Sequence, residues 1–376
     1  MSTLSSSALR HAAGGARTGA SAVLSARRFA GRLVRARQVD FWMRELVDPA
    51  WSLDTLRARV VDVVPETHDV RTFVLAPNRL WPGHHPGQFV PVSVEIDGAR
   101  VTRCYSISSA PGDARVTITV KRVPGGRVST WMHERVRPGD VLTLGRPAGD
   151  FVLNPSVRRK LLFVGGGSGV TPLVSMLRDL DRRDAVHDVV FVHAARSARD
   201  VIFARELDAL AKEHPGLRVV YALDDDPRAG RLDSDALRRA VPDLASRDAM
   251  MCGPLGMMSA LTPTWTEAGL AHRLKTERFV GAPRPLVPAR APAGKVSLVL
   301  AGRTVEADGG ATLLEQLEAA GERPESGCRM GICNTCVCRK RAGVVENVVT
   351  GELSTEPDED IRLCVSRART NLELAL

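Results

Sequence analysis

The chain lacks any run of about 18 apolar residues that could span a bilayer. Its first 39 residues contain no aspartate or glutamate, although they hold seven arginines. Lysine is scarce: six of the 52 basic side chains, at 121, 160, 212, 275, 295 and 340. No Ser/His/Asp constellation, histidine-rich metal site, pair of carboxylates placed for hydrolysis or internal repeat stands out. These gaps argue against a membrane-spanning protein and against a hydrolase. The arginine bias reads as codon usage, so the formal charge of +9 calls for no nucleic-acid partner. Cysteine is sparse too, seven in 376 residues, and four of the five beyond residue 300 fall between 328 and 338. A disulfide framework would spread through a small secreted domain, and no signal peptide is evident. Clustered thiols in an intracellular chain point to metal instead.

Residues 1–54 form a basic extension. One reading is a solvated tail. Another is an amphipathic segment, because Phe29, Leu33 and Val34 share a helical face and the arginines suit an anionic membrane surface. The Ser-rich, acid-free composition also matches an organelle transit peptide. Residues 55–154 then read as short alternating strands (56–64, 70–75, 101–107, 115–121) punctuated by Pro86-Gly87, Pro111-Gly112-Asp113 and Pro138-Gly139-Asp140, as in a small antiparallel barrel. From 155 to 280 the rhythm changes to strands near 161–164, 189–192, 217–221 and 249–252, alternating with helices, which implies a parallel sheet. Residues 281–294 carry four prolines and read as a semi-rigid linker. The last domain, 295–376, opens with a hairpin (296–300, 303–306) and a helix over 312–320.

Cys328, Cys333 and Cys336, with Cys364 downstream, have the Cys-x4-Cys-x2-Cys…Cys spacing of a plant-type [2Fe–2S] site. Two irons need four thiolates: three from one loop, and a fourth from a distant segment that closes the cage. Ser326, Gly327 and Gly331 leave backbone N–H groups free to face sulfur. Cys338 is the spare, read as a packed thiol. The competing reading is structural zinc, which usually takes paired Cys-x2–4-Cys units rather than one triad and a distant single. As a whole, 295–376 resembles a plant-type ferredoxin domain, and that resemblance implies an α+β β-grasp fold.

Three more motifs lie upstream. Arg103-Cys104-Tyr105-Ser106 matches the R-x-Y-S motif of the ferredoxin–NADP⁺ reductase superfamily, and Val120-Lys121-Arg122-Val123-Pro124-Gly125-Gly126-Arg127-Val128-Ser129 stands where that family places its phosphate loop. Gly165-Gly166-Gly167-Ser168-Gly169-Val170-Thr171-Pro172 follows a strand and opens a helix, and Cys252-Gly253-Pro254 resembles the family's strand-end motif. The resemblance covers roughly residues 55–376. It implies a multidomain chain: an antiparallel β-barrel flavin domain, an α/β parallel-sheet nucleotide domain and the ferredoxin domain. It further implies that Arg103 neutralises a pyrophosphate, that Tyr105 lies against the flavin, and that Ser106 reaches flavin N5. Val120, Lys121, Gly126, Val128 and Ser129 would line the flavin phosphate loop, in a form that favours FAD over FMN. Gly165, Gly166, Gly167, Gly169 and Thr171 would cradle the nucleotide, with Cys252 and Gly253 beside the nicotinamide. Glu277 and Phe279 resemble a Glu-x-Phe segment whose aromatic covers the flavin. Arg196 and Ser197 stand where the family discriminates nucleotides. With no acidic residue apparent there, NADPH is expected over NADH.

The nicotinamide gives two electrons as hydride while a cluster takes one at a time, so flavin is the expected converter, with Ser106, Cys252 and Glu277 as catalytic residues. The expected acceptor is a terminal oxygen-activating partner. Phe41-Trp42-Met43 and Asp48-Pro49-Ala50-Trp51-Ser52 resemble the subgroup linked to acyl-CoA desaturation in actinobacteria. A membrane fatty-acid desaturase is therefore preferred, with a soluble steroid, aromatic or CoA-substrate oxygenase as the alternative. A redox sensor that does not turn over is a third reading, against which the intact motifs argue. The expected location is cytoplasmic, with peripheral contact at the inner face of the membrane. The acidic stretch Glu352, Glu356, Asp358, Glu359 and Asp360 reads as a solvated loop or a dock for a basic partner.

Overall fold

The computed structural model describes residues 36–154, 160–226, 230–279, 294–300, 302–307, 309–327, 329, 331 and 335–376. The helical face of Phe29, Leu33 and Val34, most of the linker, and both Cys328 and Cys333 lie outside the described residues. The chain divides into two units, Met1–Thr55 and Leu56–Leu376. In the first, α1 (Ala36–Leu46) is pinned by Asp40, whose carboxylate accepts from Ser52 Oγ (3.0 Å) and Leu53 N (2.9 Å). Its Phe41 and Trp42 rings meet edge to face and stay half exposed.

The second unit begins with β1 (Arg57–Thr67), β2 (Val70–Pro77), β3 (Phe89–Ile96), β4 (Ala99–Ser106), β5 (Val116–Lys121) and β6 (Val141–Leu144), with α2 (Arg127–Arg135) between the last two. The strands pair antiparallel in the order β4-β3-β6-β1-β2-β5, and a bridge from Ile107 to Ile118 brings the two ends of that order together. Period-two alternation sends Phe73, Leu75, Val90, Val92, Ile118 and Val120 into one core. β3 and β4 turn through Asp97-Gly98, both at positive φ, as a two-residue hairpin of right-handed twist requires. β3 and β6 escaped the strands expected from sequence. Pro91 interrupts the run in β3, and β6 is only four residues long.

β7 (Leu161–Gly166), β8 (Val189–Ala195), β9 (Leu217–Leu223), β10 (Asp248–Cys252) and β11 (Leu274–Glu277) form a parallel sheet in the order β11-β10-β7-β8-β9. It is crossed by α3 (Val170–Arg182), α4 (Ala204–Glu213), α5 (Ser234–Ala240) and α6 (Leu255–Leu261). Every residue of β7 is buried, as expected of a strand covered on both faces. The strand order reverses at β7, so the crevice above its carboxyl end is where such sheets bind ligands.

Beyond the linker, β12 (Val296–Leu300) and β13 (Arg303–Ala307) make the expected hairpin. α7 (Leu313–Ala319) starts at a Thr312–Glu315 capping box. β14 (Val337–Ala342), β15 (Val345–Asn347), β16 (Leu353–Ser354), β17 (Glu359–Arg362), β18 (Ser366–Ala368) and β19 (Leu372–Ala375) complete two small sheets, β13-β12-β19-β14-β17 and β16-β15-β18. Lys340 is fully buried, and its Nζ donates to Gly343 O and Ser354 O beside Glu359. The acidic stretch is therefore largely compensated from β14: Asp358 pairs with Arg341, Glu359 with Lys340 and Asp360 with Arg339.

Candidate functional site

The residues at the end of β4 are prepared for a ligand. Ser106 is buried, and its Oγ has no hydrogen-bond partner. An orphaned buried hydroxyl is destabilising unless something absent satisfies it, and a flavin ring nitrogen would do so. Tyr105 packs against the barrel core, and burial pushes its hydroxyl well above the ordinary range. Arg103 is half-buried. Burial and the neighbouring Arg329 both work against its charge. Its Nη1 donates to its own strand at Thr102 O (2.8 Å) and to Gly327 O (3.0 Å), which leaves its other nitrogens for a phosphate oxygen. The glycine loop ahead of α2 offers uncapped helix N–H groups behind Gly126. Ser129 Oγ accepts from Val123 N at 3.1 Å, which shapes the loop and leaves the hydroxyl proton available to a ligand. Val120 and Val128 are buried wall.

The second turn is built for close approach. Gly167 (φ +51) has open space where a Cβ would sit, at the head of α3. Side chains at Gly165, Gly166, Gly169 and Gly253 would collide with Val170, Met257, Cys252 O and Met257 respectively. Thr171 is buried and donates to Ser168 O (2.9 Å), closing the turn. Cys252 and Glu277 are register partners at the ends of β10 and β11. Burial alone pushes the Glu277 carboxyl up to about 8, and its Oε2 has no partner. Burial, reinforced by Glu277, raises the Cys252 thiol well above its usual range, so both stand protonated near neutral pH. Phe279 is 46% exposed two residues further on.

A cavity of about 160 Å³ lies along Gly166 and Gly167, bounded by Arg196, Arg231, Pro254 and, from the flavin domain, Lys121. Lys121, grouped in sequence with the flavin loop, thus also lines this cavity. The expectation that no acid stands near Arg196 is overturned. Asp200 accepts from Arg196 Nη2 (3.0 Å) and from Ser197 Oγ, and Asp224 also lines the cavity. Asp200 was in view four positions on, but only the 3₁₀ turn at Ala198–Asp200 folds it back. Asp69, which contacts Lys121 (3.3 Å) and Arg196 (3.7 Å), carried no sequence signal at all.

Of the expected cluster ligands, Cys336 and Cys364 are buried in the C-terminal core, and Gly331 N donates to Cys364 Sγ at 3.3 Å. Gly331 has φ +76, and a Cβ there would strike Val365, so glycine is what lets that N–H face the sulfur. A thiolate receiving backbone N–H is the environment an iron–sulfur cluster requires. Cys338 Sγ points instead at Arg339 O and Ala375 O, each 3.7 Å away, consistent with a packed thiol.

The fold and these donors define a flavin- and iron–sulfur-dependent oxidoreductase. Models of an oxidoreductase FAD-binding domain, an oxidoreductase NAD-binding domain and a 2Fe-2S iron-sulfur cluster binding domain match residues 57–153, 163–262 and 299–369. An NADPH oxidoreductase of Mycobacterium tuberculosis is 38% identical over 349 residues, covering 91% of this chain and 90% of that protein. A glycine betaine monooxygenase reductase subunit of Pseudomonas aeruginosa is 34% identical over 350 residues, covering 85% and 93%. Phthalate dioxygenase reductase shares the fold, with a TM-score of 0.56 at 23% identity over 86% of this chain and 98% of that one. The chain belongs to the same family of oxidoreductases as these relatives, with FAD-binding, NAD-binding and 2Fe-2S domains in one chain. It holds FAD, a nicotinamide nucleotide and a [2Fe–2S] cluster.

Proposed function

We propose that the chain moves electrons from NADPH, through FAD and the cluster, to a separate oxygen-activating enzyme. When bound, the flavin accepts two electrons together and releases them singly, as a cluster requires. The protein contributes position and protons. Ser106 orients the ring edge, and Glu277 keeps a proton at its carboxyl below about pH 8. Cys252 closes the nicotinamide face as a neutral thiol. Arg196, oriented by Asp200, meets the 2′-phosphate and favours NADPH. Residues 281–294 serve as the linker between nucleotide and ferredoxin domains. The observation that carries this reading is that β4 ends in the buried, unpartnered Ser106 hydroxyl beside Tyr105, while its Arg103 touches Gly327, next in sequence to the first cysteine of the cluster motif.

The relatives' names favour an oxygenase as acceptor: one is a monooxygenase reductase subunit and another a stachydrine N-demethylase reductase subunit. A second reading, a membrane fatty-acid desaturase reached by peripheral contact from the cytoplasmic side, is supported by the exposed Phe41, Trp42 and Leu46 of α1. No helix among the described residues is long and apolar enough to cross a membrane. An anaerobic visible titration with NADPH, and separately NADH, tests the electron route. Flavin and cluster bands should bleach together, at lower NADPH than NADH; a flavin that bleaches without the cluster following would refute the route. Co-sedimentation with anionic liposomes that survives deletion of residues 1–47 would remove the membrane reading.

A further inference from the structure

Arg196, at the end of β8, cannot give its whole charge to a ligand in the cavity. Its Nη2 meets Asp200 Oδ1 at 3.0 Å and Asp69 Oδ2 at 3.7 Å. The two carboxylates act differently. Asp200 lies four residues along the same turn, is fixed by the Ser197 hydroxyl, and makes a true hydrogen bond that aims the guanidinium. Asp69 comes from the flavin domain, out of the β1–β2 turn, and 3.7 Å is beyond hydrogen-bond reach, so it acts on Arg196 by charge alone. It is also held in place. Thr67 Oγ1 donates to its Oδ1 at 3.0 Å, and Lys121 Nζ stands 3.3 Å from its Oδ2. Burial works against the charge of Asp69, but that hydroxyl and that ammonium outweigh it and hold the carboxyl below its ordinary range. Its side chain is 19% exposed, so water and salt screen it only in part. Lys121 and Arg196, one from each domain, both line the cavity, and one fixed anion sits against both.

We propose that Asp69 is a specificity residue of the nucleotide site: its carboxylate opposes a 2′-phosphate at Arg196 and Lys121, and so limits how strongly NADPH is preferred over NADH. The reason is a difference between two ligands. A phosphate monoester brings about two negative charges to a guanidinium that already carries two carboxylates. A 2′-hydroxyl brings none, so the same carboxylate leaves it undisturbed. The arrangement is crowded with like charge: His68, Asp69 and Asp200 have their ligand atoms all within 4.8 Å of one another, and Arg196 joins the two acids. With the charge of Asp69 removed, Arg196 would still be aimed by Asp200, and more of its field would reach the cavity. The flavin domain thereby takes part in choosing the nucleotide that the neighbouring domain holds. This deepens the reading that Arg196 meets the 2′-phosphate, and it rests on that reading.

Calorimetry on the full-length holoprotein with 2′,5′-ADP and 5′-AMP tests the proposal. Asp69→Asn should bind 2′,5′-ADP about tenfold more tightly than the wild type and 5′-AMP equally well, and about 0.5 M salt should shrink the gain. With ferricyanide as acceptor, the NADPH-to-NADH ratio of kcat/KM should rise by a similar factor. Unchanged 2′,5′-ADP binding would overturn the proposal. So would weaker binding, which would make Asp69 a residue that positions Arg196 rather than one that opposes the phosphate. Equal tightening of both nucleotides would overturn it too, because a loosened domain seam and not a charge would then be at work. If Asp69→Asn loses its flavin absorbance, Asp69→Ser removes the same charge and should give the same gain. Arg196→Ala separates the proposal from the reading beneath it: in that background most of the Asp69→Asn gain should vanish. A full gain there, with no loss of 2′,5′-ADP affinity from Arg196→Ala alone, would keep Asp69 as the specificity residue, acting through Lys121, and would remove the Arg196 reading.

Discussion

The flavin domain meets its two neighbours in opposite ways. Toward the nucleotide domain the seam is dense. Arg178 reaches across from α3 to Ser108 O (2.6 Å) while forking onto Glu206 and stacking over Phe203. Ser175 donates to Ser109 O (2.7 Å), Arg182 bonds Pro111 O and Asp113, and Val70, Phe151 and Leu153 share a core cluster with α3 and α4. Toward the ferredoxin domain the described joint is two hydrogen bonds and a single bridge. The difference matches what each seam must do. Nicotinamide and flavin have to be held face to face, so a rigid seam preserves geometry. A cluster that collects electrons at one place and delivers them at another needs a joint weak enough to part.

The largest test of this contrast removes one side's chemistry altogether. Cys364→Ser should abolish the cluster's absorbance and EPR signal and reduce NADPH-driven cytochrome c reduction by roughly 100-fold or more. NADPH should still bleach the flavin at the wild-type rate, because the dense seam is untouched. If flavin reduction collapses as well, the two seams are not independent.

Arg178→Ala attacks the dense seam. It removes a forked carboxylate pair and a bond to Ser108 O, and it leaves Glu206 unpaired. The expected loss is about 2–3 kcal/mol in urea unfolding followed by flavin fluorescence. A change below about 0.5 kcal/mol, the scale of an exposed ion pair, would mean that this seam too is loose.

Glu277 gives a pH signature to the same side. Its folded value of about 8 lies above its ordinary 4.5, so its contribution to stability is complete below the lower value and is lost as pH rises through the upper one. The melting temperature should fall between about pH 5 and 8 in the wild type, level off above that, and stay flatter over the same range in Glu277→Gln. Parallel curves for the two proteins would show that another group titrates. The smallest effect is expected at Arg196, whose side chain is 64% exposed. Arg196→Ala should weaken 2′,5′-ADP binding about tenfold by calorimetry and leave 5′-AMP unchanged. Equal weakening of both would place the 2′-phosphate elsewhere.

Much of the site was legible because its residue types are dictated by local chemistry. Thiolate spacing announces a cluster, and glycines at a strand-to-helix turn announce a phosphate. Gly331 is a case where composition and geometry agree, since only a residue without a side chain clears Val365. What could not be read depends on distant partners. Lys121 belongs by motif to the flavin loop yet lines the cavity along Gly166 and Gly167, because β5 lies at the end of the sheet order. Asp69 comes from the β1–β2 turn and meets Arg196 only through the folding of two domains against each other.

The sequence by itself determined which groups the protein holds, since the identity of a ligand atom or a clash-free glycine is a property of the residue. Only the tertiary structure decided what state those groups are in and what they touch. The Glu277 proton follows from burial beside Cys252, and Arg103's second partner follows from where an edge strand happens to lie. Burial and proximity are sums over contacts between residues far apart in the chain, and no local pattern encodes such sums.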